Sequence, residues 1–137
     1  MNKTTGNKLA KILLVEDDIT LASLYQMRME TEGFDVKHCN NGEEALEMAR
    51  EYRPNLILLD IMMPRLNGFD VLDILHNTPS MKTVKIIILS ALGQQSDKDK
   101  AMALGAAEYM VKSQVVIAEV MARIRFHLGL PQLPPSE

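Results

Sequence analysis

Four apolar residues in a row, Leu56-Ile57-Leu58-Leu59, end on the carboxylate of Asp60. Pro54-Asn55 precede the run, and Met62, Met63 and Pro64 follow it closely. A short continuous apolar run bounded by turn residues reads as a strand buried on both faces, the pattern of a parallel sheet. Such a strand must be covered from both sides, which points to helices packed on each face. An acid at its C-terminal tip stands where open α/β sheets place their chemistry.

The rest of the chain alternates in the same way. Residues 11–15 form a short apolar strand closed by Glu16-Asp17-Asp18, and Asp18 can cap the helix that follows. That helix runs through about Thr31, with Leu21, Leu24, Tyr25 and Met27 expected on its buried side. Strands are predicted over 34–39, 56–60, 84–90 and 107–112, and helices over 43–52, 69–76, 96–104 and 115–128. Five strands alternating with five helices predict a doubly wound α/β sandwich with a five-stranded parallel sheet. Residues 1–9 read as a disordered polar tail, 10–129 as one domain, and 130–137 as a C-terminal tail or the start of a linker.

Composition narrows the classes. A chain of 137 residues, 47% hydrophobic and 24% charged, is an ordinary globular domain. Net charge is −3 and Lys and Arg form no long run, so no nucleic-acid-binding surface is expected. Cys39 is the only cysteine, which excludes an internal disulfide. The N-terminus lacks the apolar core of a signal peptide, and no apolar run approaches the roughly 20 residues needed to cross a bilayer. The expectation is a soluble cytoplasmic protein with no membrane contact.

Right-handed crossovers bring the C-terminal ends of all strands to one edge of the sheet. Glu16, Asp17, Asp60, Ser90 and Lys112 then meet, although they are scattered in sequence. Two like charges 4 Å apart repel by roughly 4 kcal/mol at an effective dielectric of 20. A divalent cation relieves that, and an all-oxygen set with few protein ligands suits Mg²⁺. Taken singly, each residue has a plainer account: a solvated helix-capping turn at 16–18, a turn serine, a surface lysine. Taken jointly, they supply what phosphoryl transfer to an acid needs: an ionised nucleophile, a hydroxyl and compensating cations. A haloacid-dehalogenase-type phosphohydrolase would need a second Asp two residues after the nucleophile, where this chain has Met62. A flavodoxin-like FMN carrier would want a Ser/Thr/Gly-rich loop after strand one, where Glu16-Asp17-Asp18 stand.

In the last helix, Ile117, Val120, Met121, Ile124 and Leu128 share a side that should meet the sheet. Val115, Ala118, Ala122 and Phe126 fall near the opposite side, with Arg123 and Arg125 beside them. That face is either a contact for a partner or a second copy, or ordinary exposed apolar surface.

The motifs Ile12-Leu13-Leu14-Val15-Glu16-Asp17-Asp18, Leu58-Leu59-Asp60-Ile61-Met62-Met63-Pro64 with Asn67-Gly68, Ile87-Ile88-Leu89-Ser90-Ala91, Leu104-Gly105-Ala106 and Tyr109-Met110-Val111-Lys112 occur in this order. Together they closely resemble the receiver domain of two-component response regulators, over about residues 10–129, which implies a flavodoxin-like fold: a doubly wound five-stranded parallel sheet in the order 2-1-3-4-5 with five helices. The resemblance implies that Asp60 is the phosphoacceptor, charged by a phosphohistidine on a sensor histidine kinase or histidine phosphotransfer protein. It implies that Glu16 and Asp17 form an acidic pocket. Asp17, Asp60 and the backbone carbonyl of Met62 would bind Mg²⁺, with Glu16 acting through water. Ser90 and Lys112 would contact the phosphoryl group. Tyr109 would be the switch aromatic, moving inward with Ser90; on its own it is equally an amphipathic core residue with a surface hydroxyl. The signal would leave through the fourth helix, fifth strand and last helix, toward a downstream protein, an output domain of the same chain or a second copy.

Such a domain is a signalling module rather than an enzyme, although it promotes its own phosphoryl transfer and dephosphorylation. A pseudo-receiver, folded alike but never phosphorylated, is the rival within the resemblance. Two positions depart from the usual pattern. Glu16 stands where many members carry Asp. Ser113 follows Lys112 where the family usually has a proline joined by a cis bond. A non-proline cis bond costs about 2.5–4 kcal/mol, which opens the way to a trans bond and a differently set loop.

Overall fold

The computed structural model describes residues 7–134, so the outer parts of both expected tails, 1–6 and 135–137, lie outside the described residues. In chain order the elements are β1 (Lys11–Val15), α1 (Ile19–Thr31), β2 (Asp35–Cys39), α2 (Gly42–Tyr52), β3 (Leu56–Leu59), α3 (Gly68–His76), β4 (Lys85–Ser90), α4 (Gln95–Ala103), β5 (Glu108–Val111) and α5 (Ile117–His127). Short 3-10 turns occupy Pro79–Met81 and Lys112–Gln114. The second turn delays α5 to Ile117, two residues later than the periodicity predicts. All strand pairs are parallel and the order is β2-β1-β3-β4-β5, as expected.

Each strand feeds two helical layers, because successive side chains point to opposite faces. Leu13, Val15, Ile57, Leu59, Ile86 and Ile88 pack against α2, α3 and α4. Ile12, Leu14, Leu56, Leu58, Ile87 and Leu89 pack against α1 and α5. All four residues of β3 are buried, as a strand at the centre of a doubly covered sheet must be.

Asp18 caps α1 as expected, its Oδ1 accepting the Leu21 N–H at 3.1 Å. The inward side differs from the sequence reading. Ala22, Tyr25 and Met29 are buried, whereas Leu24 and Met27 are 55% and 65% exposed. Apolar side chains occur at nearly every angle around α1, so their pattern does not set its phase. The small Ala22 faces the sheet and lets the helix approach closely.

In α5, Val120, Met121 and Ile124 are buried, and Ile117 and Leu128 pack at the edge of the same cluster. Arg125 is not on the outer face. It is buried, ion-paired to Glu32 at 3.1 Å, and donates to the carbonyl oxygen of Pro131 at 3.1 Å. Glu32 also pairs with Arg28 at 2.7 Å. Gly129, with φ of 69°, turns the chain, and Gln132 donates to the Ala122 carbonyl at 3.0 Å. Residues 130–134 thereby fold back beside α5 and α1, and Ala118 and Ala122 border the groove they enter. Val115 is half-buried. Phe126 is exposed, with the Arg123 guanidinium over its ring at 4.4 Å. The four residues expected to form one open face are thus divided, because the returning chain covers one edge of it.

Candidate functional site

One register row crosses the sheet through Cys39, Val15, Leu59, Ile88 and Tyr109. Glu16 and Asp60 are the next residues after this row, and Ser90 and Lys112 lie just beyond it on β4 and after β5. The parallel topology alone therefore brings the predicted groups to one rim.

Asp60 continues the ladder by donating its N–H to the Val15 carbonyl at 3.0 Å. Its side chain is 4% exposed, so it is nearly enclosed at the strand tip. Oδ1 accepts the Met62 N–H at 3.1 Å, and Oδ2 accepts from the Lys112 ammonium at 2.9 Å. The same ammonium lies 2.9 Å from Glu16 Oε1, while Glu16 Oε2 accepts the Asp18 N–H at 3.1 Å. Lys112 thus bridges two buried carboxylates. Asp17 is exposed, but one carboxylate oxygen each from Glu16, Asp17 and Asp60 lies within 4.8 Å of the others. Lys112 reaches the pocket without a cis bond; there is none among the described residues, and the 3-10 turn at Lys112–Gln114 carries the lysine in.

The electrostatics follow from burial. Desolvation pushes Glu16 above the usual carboxylate range, and the nearby Asp60 charge adds to the rise, against the opposing hydrogen bonds from Lys112 and the Asp18 N–H. Burial alone would lower Lys112, but its bonds to Glu16 and Asp60 overcome that and raise it above the ordinary lysine value. Burial thus works against the Glu16 charge, while the bonds to Glu16 and Asp60 hold Lys112 as the cation.

Ser90 is fully buried, and its Oγ accepts the Leu92 N–H at 3.2 Å. The Tyr109 hydroxyl donates to the Leu92 carbonyl at 2.7 Å, so both residues hold the same loop after β4. Burial raises the Tyr109 phenol above the ordinary tyrosine value. The Met62 side chain is exposed beside the rim.

A family model for the response regulator receiver domain matches residues 12–125. The chain belongs to that family. It is a receiver of two-component response regulators, with a phosphoacceptor signalling role. The alkaline phosphatase synthesis transcriptional regulatory protein PhoP of Bacillus subtilis is 38% identical over 129 residues, covering 93% of this receiver and 52% of PhoP. The receiver thus spans about half the length of the curated relatives it matches. The receiver domain of the Francisella response regulator 1452 superposes with a TM-score of 0.81 at 30% identity, covering 88% of this receiver and 97% of that chain. The receiver domain of the sensor histidine kinase PA1611 from Pseudomonas aeruginosa, with a magnesium ion coordinated in its active site cleft, gives a TM-score of 0.79 at 26% identity, covering 88% and 98%. Here the donor set is three carboxylates, all oxygen, which fits a hard divalent cation. No helix among the described residues is long and apolar enough to cross a membrane.

Sequence reasoning passed over His38. Its Nε2 lies 2.7 Å from the Glu16 carbonyl oxygen. The available signal was its place near the end of the strand expected beside the acidic turn.

Proposed function

We propose that Asp60 accepts a phosphoryl group from a phosphohistidine on a sensor histidine kinase or a histidine phosphotransfer protein. The observation that carries this is the bridging of buried Asp60 and Glu16 by one ammonium, with Asp17 alongside. A lone pair on one Asp60 carboxylate oxygen attacks phosphorus, the P–N bond of the donor breaks, and its electron pair returns to the imidazole nitrogen, which takes a proton from solvent. The nucleophile is the carboxylate itself, so no general base is called for.

Lys112 supplies a compact positive charge facing the transferring oxygens. Ser90 turns its hydroxyl from the Leu92 N–H to donate to a phosphoryl oxygen. Asp17, Asp60 and the Met62 carbonyl, with Glu16 acting through water, would hold Mg²⁺, which would supply the remaining neutralising charge. The same groups promote hydrolysis of the acyl phosphate. Movement of Ser90 loosens the loop at Leu92 and with it the Tyr109 hydroxyl. The population therefore shifts in α4, β5 and α5, the surface read by a downstream protein or an output domain.

Incubation with acetyl phosphate and Mg²⁺, followed by intact mass, tests the proposal. One phosphoryl group is gained by the wild type and none by Asp60→Asn. No gain in the wild type, or an equal gain in the variant, refutes it.

A further inference from the structure

β1 and β2 part company at the acidic turn. The last rung between them is the Glu16 N–H donating to the Cys39 carbonyl at 3.0 Å. The N–H and C=O of one strand residue point the same way, so the Glu16 carbonyl also faces β2. Beyond Cys39 the chain turns through Asn40 and Asn41 into α2. The group that meets the Glu16 carbonyl is a side chain, the His38 ring, whose Nε2 stands 2.7 Å away. A carbonyl oxygen only accepts, so Nε2 carries the proton, and neutral and cationic rings both donate it.

The bond fixes more than Glu16. That carbonyl belongs to the peptide plane joining Glu16 to Asp17. Glu16 is held independently, by Lys112 on one oxygen and the Asp18 N–H on the other. Asp17 is exposed, and among the described residues its carboxylate has no hydrogen bond or ion pair. Its place near Glu16 and Asp60 rests on the backbone that carries it.

We propose that His38 is a positioning residue for the acidic pocket, anchoring the Glu16–Asp17 peptide so that Asp17 is presented to a divalent cation. This deepens the phosphoacceptor reading and rests on it. Groups that orient a metal's ligands typically govern its affinity by about tenfold or more.

Calorimetric titration of the unphosphorylated chain with MgCl₂ tests it. His38→Ala raises the Mg²⁺ Kd about tenfold. His38→Asn, whose donor is too short to reach the carbonyl, does the same and serves if the alanine variant folds poorly. His38→Gln places an amide N–H near the Nε2 position and restores the wild-type Kd. Val36→Ala, a buried substitution lower on the same strand, leaves Kd unchanged. An unchanged Kd in both His38→Ala and His38→Asn, or an equal weakening in Val36→Ala, overturns the proposal while the phosphoacceptor reading stands. A wild type that takes up neither Mg²⁺ in the calorimeter nor a phosphoryl group from acetyl phosphate overturns both.

Discussion

Gly68 opens α3, and the substitution Gly68→Ala sets two physical effects against each other. Gly68 is not among the residues with positive φ. Conformation alone therefore favours alanine, by about 0.4–1 kcal/mol through a less flexible unfolded chain. Space forbids it. A Cβ at Gly68 would overlap the Ile61 Cα and lie 2.7 Å from the Asp60 carbonyl oxygen, where ordinary contact begins at 3.4 Å. Both obstacles are backbone, so no rotamer change relieves them, and the segment after β3 must move by roughly 1 Å. Overpacking of this kind costs about 1–3 kcal/mol, and rigid backbone puts it at the upper end. Less the 0.4–1 kcal/mol that conformation returns, about 1–2.6 kcal/mol remains, and at about 4 °C per kcal/mol for a domain of this size Gly68→Ala melts about 4–10 °C below the wild type.

The displaced segment also carries Met62, whose N–H holds Asp60 Oδ1. Misplacement of about 1 Å at a reacting group can cost around 10²-fold in rate, so acetyl phosphate labelling slows even where the protein stays folded. Thermal melting by circular dichroism and labelling by intact mass are the two assays. A melting temperature equal to or above that of the wild type, with unchanged labelling, would refute the steric argument.

Arg125→Ala leaves Glu32 buried with only Arg28, and should lower stability by about 3 kcal/mol in urea denaturation, the lower end for breaking a buried pair. Burial pushes the Cys39 thiol up to about 12, so it should resist a disulfide reagent at pH 8 in the native state and react at once in denaturant. Because the folded value is the raised one, the stability from this thiol is complete below its ordinary value of 9.0 and is lost as pH climbs through about 12, which urea midpoints across that range would follow. Met62→Asn, by replacing an exposed apolar side chain at the rim, should change the decay rate of phosphorylated Asp60, and an unchanged rate would count against a role for Met62.

The sheet was legible because its strands are so apolar: Leu56–Leu59 and Ile86–Leu89 have no reading but burial on both faces. Given parallel strands, the meeting of Glu16, Asp60, Ser90 and Lys112 follows from topology, without knowledge of any side-chain contact. Helix phase was less legible. Leu24 and Met27 looked inward by hydrophobicity, but the small Ala22 settled the orientation of α1. Periodicity also set Arg125 outward, since its partner Glu32 lies just after α1, 93 residues away in the chain. His38 was missed for the same reason, its partner being a backbone oxygen just past the end of the neighbouring strand.

The return of residues 130–134 along α5 decides where a tether would be rooted. A polypeptide fused after Pro134 would hang from the α1 side of the molecule, behind α5 as seen from α4. It would have to reach around α5 to feel a change at Tyr109, and the Arg125 latch would set the length of that reach.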